Sequence, residues 1–246
     1  MTKEEILQQC TVSGNIVKLP EGKLDGKLYK EIALSFKKIG GKWTGGKTMG
    51  FVFEQDPTDL LSDIASGEKR NIKKEFQFYG TNDKLADDLV FEAQIEPSHD
   101  ILEPSAGDGA LIKAIHRVFP DPIVDFCELM ELNRLKTEKL PNVNKVGVDF
   151  LNMKTYCKKK YDRIIANPPF ANNQDITHIM EMYQFLKKGG RLVSVASTHW
   201  EKSKNKKETE FRDWLKKVKA DIGEITDGSF KKSGTGVRTC MIIINK

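Results

Sequence analysis

Hydrophobic and polar positions follow two different patterns along the chain, and the change between them falls near residue 75. Before it, one stretch has helical spacing of its apolar positions, and two short apolar runs flank a glycine-rich turn. We therefore expect residues 1–75 to form a small separate α+β unit that ends in a charged linker. The predicted elements are a helix over Lys27–Ile39 ended by Gly40–Gly41, a hairpin with Trp43 and Phe51–Phe53 on its strands, and a helix over Asp59–Ala65.

From Glu75 onward, short apolar strands alternate with amphipathic helices. Repeated units of this length predict an α/β domain over residues 76–246, with a Rossmann-like, doubly wound, mostly parallel sheet of seven strands. Gly189–Gly190 is expected to end a helix over Asp175–Leu186, and the last two strands to form an antiparallel hairpin at the sheet edge. The predicted strands are Ile101–Leu102, Ile123–Cys127, Lys145–Val148, Arg163–Ala166, Arg191–Ala196, Ile222–Ile225 and Thr239–Ile244. The other predicted helices are Asp83–Ala93, Ala110–Val118, Leu129–Lys139 and Thr209–Ala220.

Composition narrows the class of protein. With 39% hydrophobic residues, 30% charged residues and a mean hydropathy of -0.47, we expect a soluble protein without a membrane span. The polar first ten residues predict no secretory signal. The four cysteines are scattered, without metal-ligand spacing, which predicts reduced thiols in a cytoplasmic protein and no metal site.

Positive charge is concentrated at the end of the chain. Residues 201–246 contain 12 basic and 7 acidic residues, which accounts for the whole net charge of +5. Such an excess suits a polyanionic partner, although on charge alone it is more typical of a solvated lysine-rich helix. Charge alone therefore leaves both interpretations open.

The segment from Ile101 to Leu111 contains a glycine turn between a strand and a helix. Gly107 and Gly109 allow the backbone to bend sharply and to approach a ligand. A dinucleotide fingerprint would add a third glycine for the pyrophosphate. Here Glu103 ends the strand and Asp108 lies inside the turn, which favours a cationic or hydroxyl-rich ligand.

Two further strands end in acidic residues. Glu128 follows the glycine turn by about 20 residues, the spacing at which an acidic side chain can bind ribose hydroxyls. Asp149 could accept a hydrogen bond from an adenine amino group, with Phe150 flanking the ring. Because carboxyl ends of parallel strands meet at one edge, these groups are expected to line a single crevice.

The next strand is followed directly by Asn167-Pro168-Pro169-Phe170. The two prolines fix φ and keep Asn167 out of helical geometry, so the loop is stiff. The amide oxygen of Asn167 and the carbonyl oxygen of Pro168 can both accept from one amino group. Phe170 can stack on a planar ring.

These motifs resemble those of the class I S-adenosylmethionine-dependent amino-group methyltransferases, especially the N6-adenine DNA enzymes. Glu103 to Leu111 is similar to their motif I, and Asn167 to Phe170 is similar to their catalytic (D/N)PP(Y/F/W). The segment before motif I resembles motif X, which gives the motif order of the gamma class. The family pattern there is usually F-x-P-T-P; this chain retains Thr81 and lacks both prolines. Small solitary enzymes of phages and mobile elements are also similar.

The resemblance implies roles for individual residues. Asn167, Pro168, Pro169 and Phe170 would be catalytic, with Phe170 and Phe230 holding the target base between them. S-adenosylmethionine would be the cofactor, and no metal would be needed. The residues implied in cofactor binding are Tyr79, Thr81, Glu103, Ser105, Ala106, Gly107, Asp108, Gly109, Glu128, Leu129, Asp149, Phe150 and Asn167.

The substrate implied is N6 of adenine in double-stranded DNA, with the base flipped out of the helix. Many DNA enzymes of this family carry a large target-recognition domain. Here either residues 1–75, a candidate nucleic-acid-binding unit, and loop 200–208 share recognition, or the recognised sequence is short or loosely defined. We expect Lys204, Lys206 and Lys207 in that loop to contact phosphates. The same motif serves RNA methyltransferases and protein glutamine methyltransferases, and a non-catalytic nucleic-acid-binding protein on this scaffold is a further alternative.

Overall fold

The computed structural model describes residues 2–22, 24–53, 56–68, 80–119, 121–225 and 238–246. Contacts within the chain divide it into two compact units, residues 1–77 and 78–246. None of the helices in the described ranges is long and apolar enough to cross a membrane.

The described part of the first unit combines three helices with a four-stranded antiparallel sheet of order β1-β2-β4-β3. Its core forms where Phe36 packs on Phe51 and Phe53, with ring centroids 4.6 and 6.1 Å apart. The elements are α1 Lys3–Gln8, β1 Thr11–Ser13, β2 Ile16–Lys18, α2 Gly26–Lys38, β3 Lys42–Thr44, β4 Gly50–Val52 and α3 Thr58–Ala65.

The hairpin predicted from the two runs around the glycine turn is confirmed, because β3 pairs with β4 antiparallel and Trp43 lies opposite Phe51. The helices predicted in this unit are also present, within one residue at each end. The elements α1, β1 and β2 were not predicted. They are three to six residues long, too short for a periodic pattern to be recognised.

The second unit is an α/β domain with a seven-stranded sheet of order β10-β11-β9-β8-β5-β6-β7. Its strands are β5 Ile101–Glu103, β6 Val124–Cys127, β7 Val143–Gly147, β8 Tyr161–Ala166, β9 Leu186–Ser197, β10 Asp221–Glu224 and β11 Thr239–Asn245. Its helices are α4 Asp83–Ala93, α5 Ala110–Val118, α6 Glu131–Thr137, α7 Gln174–Phe185 and α8 Lys206–Lys217.

The predicted fold class, a Rossmann-like and mostly parallel sheet, is confirmed. Strands β5 to β9 pair in parallel, and β11 runs antiparallel to both of its neighbours. The predicted antiparallel hairpin is present, with β10 at the edge and β11 one position inside it. The chain fills β5, β6 and β7 outward on one side and then returns to add β8 on the other side of β5. Its topological switch point therefore lies between β5 and β8.

Alternation along the central strands places their side chains on the two faces of the sheet. Ile101, Ile165 and Val193 belong to one hydrophobic cluster, whereas their chain neighbours Leu102, Ile164 and Leu192 belong to the other. Both faces are buried, which explains why these strands read as continuous apolar runs.

The predicted end of the helix at Gly189–Gly190 was wrong. Helix α7 ends at Phe185, and the two glycines lie inside β9, which begins at Leu186. The pairing with β8 shifts register here, between Tyr161 and Arg163. Gly189 has φ 79° and its N–H donates to the carbonyl oxygen of Lys246, so the glycines serve an irregularity in the strand.

A buried carboxylate stabilises the amino end of the sheet. Asp125 accepts hydrogen bonds from Tyr161 Oη at 2.9 Å, Lys159 Nζ at 2.9 Å and Asn144 Nδ2 at 3.0 Å. Burial and the neighbouring Asp125 carboxylate raise the pKa of Tyr161, so the phenol stays a neutral donor. These contacts connect β6, β7 and β8 at the amino end of the parallel strands, the end opposite the one at which open α/β sheets bind ligands.

We predict that Asp125→Ala lowers the free energy of unfolding by about 2 kcal/mol, because the buried Tyr161 hydroxyl loses its acceptor while the half-exposed Lys159 regains water. Urea denaturation followed by circular dichroism measures the change. The matched control is Asp121→Ala, at an exposed loop position just before β6. Equal stabilities of the two variants would contradict the assigned role of Asp125.

Candidate active site

The residues singled out from the sequence lie largely at the carboxyl edge of the second unit's sheet. The glycine turn follows β5, Glu128 follows β6, Asp149 follows β7 and Asn167 follows β8. The switch point between β5 and β8 opens a crevice at this edge, which is where open α/β sheets bind ligands.

The glycine turn needs its glycines for two reasons. Gly107 and Gly109 have φ 55° and 78°, a left-handed conformation that is unfavourable for other residues. In addition, a Cβ on Gly109 would lie 2.5 Å from Leu140 Cδ1 and 3.3 Å from Thr137 Oγ1. Gly109 is also the N-cap of α5, so the turn brings the start of that helix close against its neighbours.

Glu128 connects the glycine turn to the next strand. Its carboxylate accepts the N–H of Gly107 and the N–H of Met130, each at 2.7 Å. Ala106 N–H donates to the carbonyl oxygen of Cys127 at 3.0 Å beside it. Burial raises the pKa of Glu128, against the two backbone donors that lower it. The predicted residues of two strand ends therefore form one hydrogen-bonded unit.

Glu103 is a buried acid next to this unit. Burial holds its pKa well above the ordinary range, and the carboxyl groups of Glu128 and Asp108 raise it further. Its Oε2 atom has no hydrogen-bond partner among the residues that the structure describes. A buried acceptor in acidic surroundings is costly, and a cationic ligand or a hydrogen-bond donor would relieve that cost.

Asp149 and Phe150 form the third strand end of the site. Asp149 accepts from Leu151 N–H at 3.0 Å and Asn152 Nδ2 at 2.7 Å, which fixes the carboxylate at the start of a short 3₁₀ helix. The buried Phe150 ring lies 5.5 Å from the ring of His178.

His178 is a site residue to which sequence reasoning gave no role. Its Nδ1 lies 3.4 Å from Ser105 Oγ, so α7 reaches the loop after β5. Burial lowers the pKa of His178 to about 4, although Asp149 raises it, and the ring is therefore neutral at physiological pH. The apolar spacing of α7, with Ile179 and Met182 also buried, was the available signal for its inward orientation.

The Asn167-Pro168-Pro169-Phe170 loop is held by residues distant in sequence. Asn167 Nδ2 donates to Thr81 Oγ1 at 3.0 Å, across 86 positions, so the segment before α4 contacts the loop after β8. Pro168 is buried. Phe170 is 8% exposed and packs in the hydrophobic cluster on the α4–α5 face of the sheet.

A second polar network holds the end of this loop. The fully buried Asp175 accepts Ser197 N–H at 2.9 Å and Ser197 Oγ–H at 2.6 Å. Ser197 Oγ contacts His199 Nδ1 at 2.5 Å, and His199 Nε2 contacts Asn173 Oδ1. Asn173 has φ 58° and begins α7, so the network ties the turn after Phe170 to the end of β9.

The three lysines expected in a loop lie in different surroundings, because Lys206 and Lys207 are the first residues of α8 and only Lys204 precedes it. Lys207 Nζ donates to the carbonyl oxygen of Asn173 at 2.8 Å and to Thr177 Oγ1 at 2.7 Å. Lys206 is 3.8 Å from Glu210, and Lys204 is exposed. Lys207 thus stabilises the start of α7 by hydrogen bonds. Contacts between these three lysines and phosphates stay a prediction.

Some predicted residues are not part of this hydrogen-bonded arrangement. Leu129 is 55% exposed beside Glu128. Tyr79 and Phe230 lie outside the described residues. Within the described ranges, no group of three or more His, Cys, Asp or Glu side chains could hold a metal ion.

A family model described as "Methyltransferase small domain" matches residues 83–220, which is more than half of the chain. The chain belongs to the methyltransferase small domain family. The match begins with α4 and ends after α8, so it contains every described strand end of the site. The cofactor of this methyltransferase is S-adenosylmethionine.

Solved structures share the fold of this methyltransferase. The type I restriction-modification methyltransferase subunit from Streptococcus thermophilus has a TM-score of 0.59 at 16% identity, over 89% of this chain and 52% of that one. The type I restriction enzyme EcoKI M protein has a TM-score of 0.56 at 16% identity, over 91% and 51% of the two chains. A Listeria monocytogenes protein described as a class I S-adenosylmethionine-dependent methyltransferase has a TM-score of 0.52 at 13% identity, over 77% and 66%.

At these identities the similarity establishes the fold. This methyltransferase spans about half the length of the two type I subunits. No curated protein sequence matches the chain significantly.

We predict that Gly109→Ala lowers the free energy of unfolding by about 2–4 kcal/mol, because it adds a left-handed backbone penalty to a clash with Leu140. Gly223→Ala is the matched control, since a Cβ there meets nothing within 4 Å. In the double variant Gly109→Ala/Leu140→Ala, the cost should be less than the sum of the two single costs. Additive costs in thermal unfolding would show that the close approach of Leu140 is unimportant.

Proposed function

We propose that this methyltransferase transfers the methyl group of S-adenosylmethionine to the exocyclic N6 amino group of adenine in DNA. The observation that carries the proposal is the position of Asn167. It lies at the end of β8, at the switch point beside the glycine turn, and its amide nitrogen donates to Thr81. With the amide nitrogen donating to Thr81, the amide oxygen is the acceptor atom that an amino-group substrate requires.

The residues at the strand ends suit the parts of the cofactor. Glu103, a buried acceptor in acidic surroundings, fits the positively charged methionine end. The Glu128 carboxylate can accept ribose hydroxyls in addition to its two backbone donors, since each carboxylate oxygen has two acceptor sites. Asp149 and Phe150 would hold the adenine ring, and Leu129 would lie beside Glu128. The residues proposed for the methionine side are Thr81, Ser105, Ala106, Gly107, Asp108 and Gly109.

The reaction requires mainly that the amino nitrogen be aligned with the methyl group. S-adenosylmethionine supplies a methyl group that is already activated by the sulfonium. Asn167 Oδ1 and the Pro168 carbonyl oxygen would accept hydrogen bonds from the amino group and direct its lone pair toward the methyl. The bound cofactor would give up its methyl group to the amino nitrogen by cleavage of the sulfur–carbon bond, and that nitrogen would release one proton to water. Pro168 and Pro169 keep the acceptors in place.

Two observations favour DNA as the substrate: the sequence of the Asn167–Phe170 loop and the proteins whose solved structures have a similar fold. The EcoKI M protein and the Streptococcus thermophilus subunit, both from type I restriction systems, share the fold. A base in duplex DNA would have to flip out to reach Asn167. Phe170 at 8% exposure can offer one edge or face to that base once bound, and Phe230 remains a proposed second contact.

We predict that cofactor binding releases a proton from Glu103. The free carboxyl has a raised pKa, and a neighbouring cation lowers it, so release is largest between the bound and the free pKa. Release vanishes as pH rises through the free pKa, because Glu103 is then already ionised. Calorimetric titration with S-adenosylmethionine in buffers of different ionisation enthalpy measures the proton number.

In Glu103→Gln, the proton release should disappear and the affinity should fall. The exposed Glu224→Gln is the matched control and should behave as wild type. Unchanged proton release in Glu103→Gln would exclude Glu103 as the proton donor. If Glu103→Gln lowered the affinity for the cofactor while wild type released no proton, Glu103 would contribute only a neutral hydrogen bond to cofactor binding.

We predict that Asn167→Ala abolishes methyl transfer and leaves cofactor affinity nearly intact, since the acceptor for the amino group is lost. The protein and its variant are expressed in cells that lack adenine methylation, and modified bases are mapped by single-molecule sequencing. We expect N6-methyladenine at a defined sequence in the DNA of cells that express wild type, and none in the DNA of cells that express Asn167→Ala. Asn245→Ala, at the opposite edge of the sheet, controls for the substitution.

Turnover retained in Asn167→Ala would contradict the assigned role of Asn167. Absence of any DNA mark despite cofactor binding would contradict the DNA substrate, and transfer assays on RNA and on glutamine-containing proteins would then follow. Failure to bind S-adenosylmethionine would contradict the enzyme itself and favour a non-catalytic nucleic-acid-binding protein.

A further inference from the structure

An aromatic side chain is exposed on the first unit. Trp43 lies on β3, the edge strand of the four-stranded sheet, and is 47% exposed. Its ring packs edge-on against Phe51 at 5.1 Å and Tyr29 at 6.5 Å. One side of the indole therefore closes the core, while about half of its surface faces solvent.

Exposed lysines lie on helix α2, which contacts Trp43 through Tyr29. The buried side of α2 carries Ile32 and Phe36, and Tyr29 lies at the border of that side. Lys30 and Lys37 are seven positions apart, so they lie on one stripe of the helix, just outside Tyr29. Both are exposed. We call Trp43, Tyr29, Lys30 and Lys37 the aromatic–lysine surface.

The positive charge of this surface is not neutralised by ion pairs among the residues that the structure describes. From Gly26 to Val52 there are six lysines and one acidic residue, Glu31. Within the described part of the chain, no ion pair involves any of these lysines. The nearby Asp25 carboxylate caps α2 through the N–H groups of Lys27 and Leu28. The surface is therefore both cationic and aromatic.

We propose that the aromatic–lysine surface binds single-stranded nucleic acid, with a base stacked on Trp43 and phosphates contacted by Lys30 and Lys37. Half-exposed aromatic rings beside cationic groups are the features by which proteins hold unpaired strands, because any base offers a face for stacking. A second methyl-accepting site is not implied, and binding here does not depend on the reaction proposed for the second unit.

A protein partner suits the surface less well. It would have to bring acidic groups to several separate lysines and an apolar contact to a single indole. A nucleic-acid strand carries both kinds of group at every nucleotide, since each phosphate is followed by a base. The charge and the aromatic ring are thus explained by one ligand.

Intrinsic fluorescence of the full chain tests the proposal, because Trp200 is buried and Trp214 is partly buried. The probes are oligodeoxythymidine and oligouridine, added without cofactor to the Asn167→Ala variant so that no methyl transfer occurs. We expect quenching that is lost in Trp43→Phe. Because Trp43→Ala lacks the reporting ring, its affinity is measured by the anisotropy of labelled oligonucleotides and should be about tenfold lower than that of its parent. The two probes distinguish DNA from RNA as the source of the strand.

The lysines are tested by a pair of matched double variants. Lys30→Gln/Lys37→Gln removes the stripe nearer Tyr29. Lys27→Gln/Lys38→Gln removes the same charge from the side of α2 opposite Tyr29, about a quarter of a turn from the first stripe. In the first variant the slope of log affinity against log salt should fall by about 1.4, because each phosphate contact on a single strand contributes about 0.7. The second should keep more of the wild-type slope.

Unchanged affinity in both Trp43→Ala and Lys30→Gln/Lys37→Gln, in variants whose melting temperatures show that they are folded, would overturn the proposal. Equal slopes in the two lysine variants would also overturn it, as would competition by polyglutamate as strong as that by the oligonucleotides. Absence of methyl transfer by the wild-type protein, with strand binding intact, would count against the proposed reaction alone.

Discussion

The hydrogen bond from the Gly107 N–H to the Glu128 carboxylate, 2.7 Å long, is the contact on which the site depends. It closes the turn after β5 against the end of β6, and Thr137 Oγ1 supports it by donating to the Gly107 carbonyl oxygen at 3.0 Å. Gly109 can then lie close to Leu140 and start α5. The same contact brings carboxyl groups together, which together with burial raises the pKa of Glu103. Stability and ligand binding are therefore coupled at this turn.

Much of the fold could be predicted because the central strands are buried on both faces. Their apolar runs and the amphipathic helices between them gave the order of elements in the second unit. The glycine pair at 189–190 misled because glycine ends helices more often than it interrupts strands. The short elements α1, β1 and β2 escaped because three to six residues carry no measurable period.

The candidate site could be predicted only where one segment carries its own signal. The glycine turn and the Asn167–Phe170 loop are continuous motifs, and the structure brings both to the switch point. The contact of Asn167 with Thr81, the approach of His178 to Ser105, and the Asp175–Ser197–His199 network join residues that are far apart or have common side chains. Such pairs follow from tertiary packing. The charge of Lys207 gave no sign of its hydrogen bonds to Asn173 and Thr177 for the same reason, and the phosphate contacts expected of the three lysines stay a prediction.

The most direct test of the account is a labelled transfer reaction with the purified protein. The protein is incubated with methyl-labelled S-adenosylmethionine and DNA, RNA or protein, and the products are digested and identified by mass spectrometry. The account predicts label in N6-methyldeoxyadenosine, at a rate that depends on Asn167. Label confined to RNA or to glutamine, with the cofactor bound normally, would contradict it.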